Sequence, residues 1–143
     1  QRQRSELRRL PRDYHQELME YADLIGKPFK YGGRCLADGG LDCYGVVVEM
    51  GRRAGLELPT RQFSDDLAVN HALMATQMDE WEPCEQQPGA IALIKILKVP
   101  CHVGFVLDEY RFIHAWEGSN GVVVERIEEW QKRIEGFYRY VGH

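Results

Sequence analysis

The sequence predicts an α+β domain in which helices come first and one antiparallel sheet follows. Three observations carry this. Apolar residues recur at helical spacing in the first half, the second half breaks into short strand-like runs separated by turn residues, and Pro88-Gly89 divides the two regimes. At 143 residues the chain is long enough for one compact domain with its own core. That domain is read as residues 1–143, with 1–12 a polar, Arg-rich N-terminal arm.

From Pro11 to Ile25, apolar side chains at Tyr14, Leu18, Tyr21, Ala22 and Ile25 approximate one helix face, and Gly26 and Pro28 stop it. Phe29 to Asp42 follows, with Gly32, Gly33, Gly39 and Gly40, a loop in which backbone can come close to another group. Asp42 to Ala54 reads as a helix, with Asp42 as N-cap, Arg52 and Arg53 in the last turn and Gly55 as the stop. Val46, Val47 and Val48 are poor helix formers, so burial must hold this helix against propensity. Thr60 to Met78 contains a second helix with Leu67, Ala68, Leu73, Met74 and Met78 as its apolar positions.

Glu80 to Gly89 is polar, contains Pro83 and Pro88, and reads as a connection. Strands are then expected at Ala90–Leu97, Cys101–Leu107, Arg111–Trp116, Val122–Glu125 and Phe137–Val141. The expected fold is therefore N-terminal helices packed on one antiparallel sheet of about five or six strands.

Composition narrows the functional classes. A formal charge of −4 supplies no basic field for a nucleic-acid partner. No apolar run approaches the length of a membrane span, and no apolar stretch near the start suggests a signal peptide. The four cysteines, Cys35, Cys43, Cys84 and Cys101, repeat no spacing pattern, and no structural disulfide is expected.

Cys43 directly follows the N-cap of a predicted helix. Free N–H groups and the positive helix end favour an anion there, which promotes thiolate and offers donors to an oxyanion. The competing reading is a small buried apolar residue, the commonest fate of a free cysteine. His102 begins a strand and His114 lies twelve residues on, in the next strand. A tight turn at Asp108-Glu109 places the two roughly opposite each other on one face, a general base beside a third polar group. Zinc is the rival, since Cys101 and two histidines are close in sequence, but Cys101 and His102 point to opposite faces and no metal-ligand spacing is present. His15, His71 and His143 lack such context and read as solvent-facing, while Asp108 and Glu117 read as solvated loop acids.

Three stretches resemble the NlpC family of cell-wall cysteine peptidases, whose fold is a reduced papain-like one. Leu24-Ile25-Gly26-Lys27-Pro28-Phe29-Lys30-Tyr31-Gly32-Gly33 is similar to its LGxPYxYGG pattern. Leu41-Asp42-Cys43-Tyr44-Gly45-Val46-Val47 is similar to its nucleophile motif, and His102-Val103-Gly104-Phe105-Val106-Leu107 with Arg111-Phe112-Ile113-His114-Ala115 to its histidine hairpin. The resemblance implies Cys43 as nucleophile, His102 as general base and acid, and His114 as the residue orienting the imidazole. It also implies that Tyr31 donates to the oxyanion and that Asp42 meets the free amino end of a stem peptide.

Tyr44 stands where the family usually has Ser, a departure that bears on substrate preference, as a narrowed cleft or a stacking wall. Members with DCYG and a similar C-terminal stretch, Trp130 to Tyr140, are associated with phage tails and prophages. The resemblance thus implies hydrolysis of a stem-peptide amide, next to D-glutamate, by a tail-associated enzyme with no metal or organic cofactor. Its partners would be peptidoglycan stem peptides and other tail-tip proteins, and its location the virion tail or the host cytoplasm before assembly. A peptidoglycan amidase of related fold and a structural tail-tip component are the alternatives.

Overall fold

The computed structural model describes residues 20–59, 78–119 and 121–142. Six strands form one sheet: β1 (Trp81–Cys84), β2 (Ile91–Ile96), β3 (Val99–Val106), β4 (Arg111–Trp116), β5 (Gly121–Arg126) and β6 (Ile134–Tyr140). Their order is β1-β6-β2-β3-β4-β5, and every pairing is antiparallel. Helix α1 (Cys43–Arg53) lies against β3 and β4, and the short helix α2 (Ile127–Trp130) follows β5. Among the described residues no helix is long and apolar enough to cross a membrane.

Burial holds α1, as its three valines require. Val46, Val47 and Met50 are fully buried, in one cluster with Val103, Phe105, Ile113 and Ala115 of the sheet. Burying each such side chain contributes about 1.5–3 kcal/mol, which outweighs the few tenths that β-branching costs each helical position. The other sheet face carries a second cluster, in which Ile94, Val106 and Phe112 meet Ile127 and Trp130 of α2. The sheet is thus covered on both sides, by α1 on one and by α2 on the other.

The structure corrects several expectations. Of the helix expected over Pro11–Ile25, the described end is a single 3₁₀ turn at Ala22–Leu24; Leu24 is buried, and Ile25 is half exposed. Gly26 turns left-handed immediately afterwards, at φ 87°. Trp81–Cys84, expected within a connection, is a strand. Pro83 is tolerated because β1 pairs only with β6 and so forms an edge of the sheet. β3 begins at Val99 rather than Cys101, because Leu97 (φ 52°) and Lys98 (φ 68°) make a two-residue hairpin turn from β2. That turn requires left-handed backbone at both positions, which Gly, Asn or Asp usually supply; Leu and Lys give no such signal. The second expected helix, Thr60–Met78, and the arm 1–12 lie outside the described residues, apart from Met78, which opens a 3₁₀ turn.

Candidate active site

Asp42 makes the start of α1. Its Oδ1 accepts from the Gly45 N–H at 2.8 Å, and its Oδ2 accepts from the Gly32 N–H at 2.9 Å. The Arg34 guanidinium completes an ion pair with the same carboxylate. With 2% exposure and all these partners, Asp42 caps the helix and ties the glycine loop to it. Gly45 is required by the same junction, since a Cβ there would lie 2.0 Å from the Gly33 carbonyl oxygen.

Cys43 follows as the first residue of α1, 7% exposed, with the Val103 backbone N–H hydrogen-bonded to its thiol. Burial, seconded by the neighbouring Asp42 charge, pushes the thiol up to about 12. In this arrangement burial, rather than the helix end, dominates the thiol's surroundings. Desolvation opposes the charged form more strongly than the helix end favours it.

His102 and His114 do meet, with His102 Nε2 2.7 Å from His114 Nδ1. Their register differs from direct opposition. Phe105 pairs with Ile113 and Val106 with Phe112, so the same ladder puts Gly104 opposite His114 and leaves His102 its diagonal neighbour. Gly104 makes room for the diagonal contact: a Cβ there would stand 3.3 Å from the His114 Cβ and 2.7 Å from the Phe112 ring. Burial, with His114 beside it, holds His102 well below the usual histidine range, and burial puts His114 at about 3. Both rings are neutral near pH 7, and Phe112, Trp116 and Trp130 crowd around His114.

The imidazole pair and the thiol face opposite sides of β3. Val103 and Phe105 share the cluster of Cys43; by strand alternation His102, Gly104 and Val106 point the other way, toward α2. The ladder between β2 and β3 explains the choice. Ile94 pairs with His102 and Lys95 with Pro100, so Cys101 is an extra, bulged residue. A bulge decides which side chain goes to which face; here Cys101 is buried and interacts electrostatically with Cys43, and the imidazole is sent across the sheet.

The sequence matches the NlpC/P60 family over residues 26–139. The chain belongs to this family. A solved lipoprotein-like NLP/P60 protein of Staphylococcus aureus is similar, with a TM-score of 0.66 and 20% identity over 94% of this chain and 43% of that one. The peptidoglycan hydrolase RipB of Mycobacterium tuberculosis gives 0.59 and 19% over 95% of this chain and 70% of its own. The P60 domain of the M. avium subspecies paratuberculosis antigen MAP1204 gives 0.60 and 17%, covering 92% and 97%. At such identities the likeness is one of fold: a papain-like NlpC/P60 domain. No curated protein matches.

Within this NlpC/P60 domain the remaining candidates take clear places. Tyr31 is 44% exposed, and its hydroxyl donates to Glu117 Oε2 at 2.8 Å, which gives that loop acid a defined partner. Tyr44 is 4% exposed; its ring lies in the core beneath the Arg34 guanidinium, 5.4 Å away, and its hydroxyl donates to the Pro59 carbonyl. It is a packing residue rather than an open stacking wall. All four cysteines are free thiols. Among the described residues no group of His, Cys, Asp or Glu is placed to hold a metal ion. His15, His71 and His143 lie outside the described residues. Two functional neighbours escaped sequence reasoning, Arg34 beside Asp42 and Glu125 beside His114, because neither belongs to a motif and each reaches its partner through a turn or across the sheet.

Proposed function

We propose that the chain is a cell-wall cysteine peptidase in which Cys43 attacks an amide of the peptidoglycan stem peptide. The observation that carries this is the meeting of α1 with β3, where the Val103 N–H reaches the Cys43 thiol and the residue before Val103 is His102. Membership of the NlpC/P60 family and the fold shared with the hydrolase RipB support it.

In this reading the Cys43 proton passes to His102 as the thiolate adds to the carbonyl carbon. The oxyanion rests on the Cys43 N–H and on the Tyr31 hydroxyl, once that hydroxyl leaves Glu117. His102 then gives the proton to the departing amine, and water cleaves the thioester to regenerate the thiol. The chemistry requires the His102 imidazole on the Cys43 side of β3. A shift of the bulge by one residue exchanges the faces of Cys101 and His102, and the arrangement described here is the resting one. The expected bond is γ-D-glutamyl, and the expected setting a phage or prophage tail that opens the wall locally, in the virion or in the host cytoplasm before assembly. There the domain would meet stem peptides and other tail-tip proteins.

A second reading, a tail-tip component that keeps the fold without the activity, is favoured by the buried high-pKa thiol and the averted imidazole. Digestion of purified peptidoglycan by the wild type and by Cys43→Ala separates the two, with fragments identified by mass spectrometry. Fragments released by the wild type alone support the peptidase. A free stem peptide beginning at its first residue would mean an amidase of related fold, and equal release by both proteins, or none, would sink the cysteine mechanism.

A further inference from the structure

We infer that Glu125 is a positioning residue for the imidazole pair as it rests on the α2 face of the sheet, fixing which nitrogen of His102 carries the hydrogen; this stands on the geometry and does not depend on the peptidase reading. Glu125 lies on β5, where it pairs with Phe112 while His114 pairs with Val123. It is therefore the diagonal neighbour of His114, on the same face, and its Oε2 lies 2.6 Å from His114 Nε2. The Trp130 side chain donates to the same carboxyl, and Arg133, whose guanidinium lies 4.4 Å over the Trp130 ring, adds a nearby positive charge. Three side chains on three consecutive strands thus form one hydrogen-bonded line: His102 on β3, His114 on β4, Glu125 on β5.

The line has a direction, and Glu125 sets it. As a carboxylate Glu125 can only accept, so Nε2 of the neutral His114 must carry the hydrogen. Nδ1 of His114 is then a bare lone pair, and the short contact to His102 requires His102 Nε2 to donate. His102 Nδ1 is left as the basic nitrogen. A protonated Glu125 would donate instead, every hydrogen in the line would reverse, and His102 Nδ1 would become occupied. Burial raises the proton affinity of Glu125, while Trp130 and Arg133 lower it. Among the described residues, His114, Trp130 and Arg133 are set against its carboxyl.

The test uses the full chain with ¹⁵N-labelled histidine. Long-range ¹H–¹⁵N spectra at pH 7 should show both His102 and His114 as Nε2–H tautomers. Glu125→Ala should leave His114 as a mixture or reverse it. Glu125→Gln, which keeps the shape but can donate as well as accept, should relax the tautomers. A wild-type His114 in the Nδ1–H form would overturn the inference, as would Glu125→Ala with wild-type tautomers. A wild type inert on peptidoglycan defeats the peptidase reading, and the tautomer spectra still decide the role of Glu125.

Discussion

The backbone N–H of Val103 meets the thiol of Cys43, so α1 touches β3 at the peptide that follows His102. This contact supplies a weak donor where the chemistry calls for a base, and with burial it defines a resting thiol.

The first prediction concerns that thiol. With its pKa pushed up to about 12, only about 1 part in 10⁵ of Cys43 is thiolate at pH 7. Cys35 is exposed, and alkylation of the substrate-free protein by iodoacetamide should modify it well before Cys43. The order is read by peptide mass mapping across pH 6 to 9. Cys43 reacting first near neutral pH would show the imidazole already on the thiol side, and the resting arrangement would be wrong.

Much of this site was legible in the sequence because its signals are local. Asp42 as a cap, the helix that follows it and the antiparallel sheet need only short-range pattern and turn chemistry, and Cys43, His102 and His114 stand in ordered motifs. The face on which His102 lies was not legible. It depends on one extra residue at Cys101 in the β2–β3 ladder, and a strand's alternation carries no mark of a bulge made by Pro-Cys-His. The partners of Asp42 and His114 were equally hidden: Arg34 arrives through the fold of the glycine loop, and Glu125 through the register of β5.

Gly45→Ala should destabilise the fold despite its helical position. In an open helix the change gains up to about 1 kcal/mol. Here the new Cβ would lie 2.0 Å from the Gly33 carbonyl oxygen and 3.3 Å from Asp42 Oδ1. The obstacle is backbone, which cannot rotate away, and overpacking of this kind costs about 1–3 kcal/mol or more. A lowered Tm should be seen by thermal denaturation; an unchanged or raised Tm would mean the glycine loop yields freely.

Substitutions at Asp42 should separate the cap from the ion pair. Asp42→Asn keeps an oxygen for the Gly45 N–H but sets an amide NH₂ against the Gly32 N–H and removes the charge paired with Arg34, so it should lose those two interactions and keep the cap. Asp42→Ala removes the cap, worth about 0.5–2 kcal/mol, and also leaves the Gly32 N–H and the mostly buried Arg34 without this acceptor. Urea unfolding should therefore rank wild type above Asn above Ala. Equal midpoints for Asn and Ala would show that the cap contributes nothing.

Stability should fall as pH drops below about 6.5, and the histidine pair sets the sign. Burial depresses His114 to about 3 from its ordinary 6.5, and His102 lies well below 6.5 as well. Between those limits the unfolded chain binds protons that the folded chain refuses. The contribution is complete above 6.5 and is lost steadily toward the folded pKa, by at most about 1.4 kcal/mol per pH unit for each ring. Asp23 and Asp108 have lowered values and act in the same direction, but only below their ordinary 3.8. Glu125 is raised, so it opposes the trend weakly and nearer its own range. Urea midpoints at pH 7.5, 6.0 and 5.0 should decline in that order, and His114→Asn should flatten the decline by removing one of the two rings. Midpoints that hold steady or rise from 7.5 to 5.0 would mean that the imidazoles take up protons while folded, and that the pair is less buried than its geometry requires.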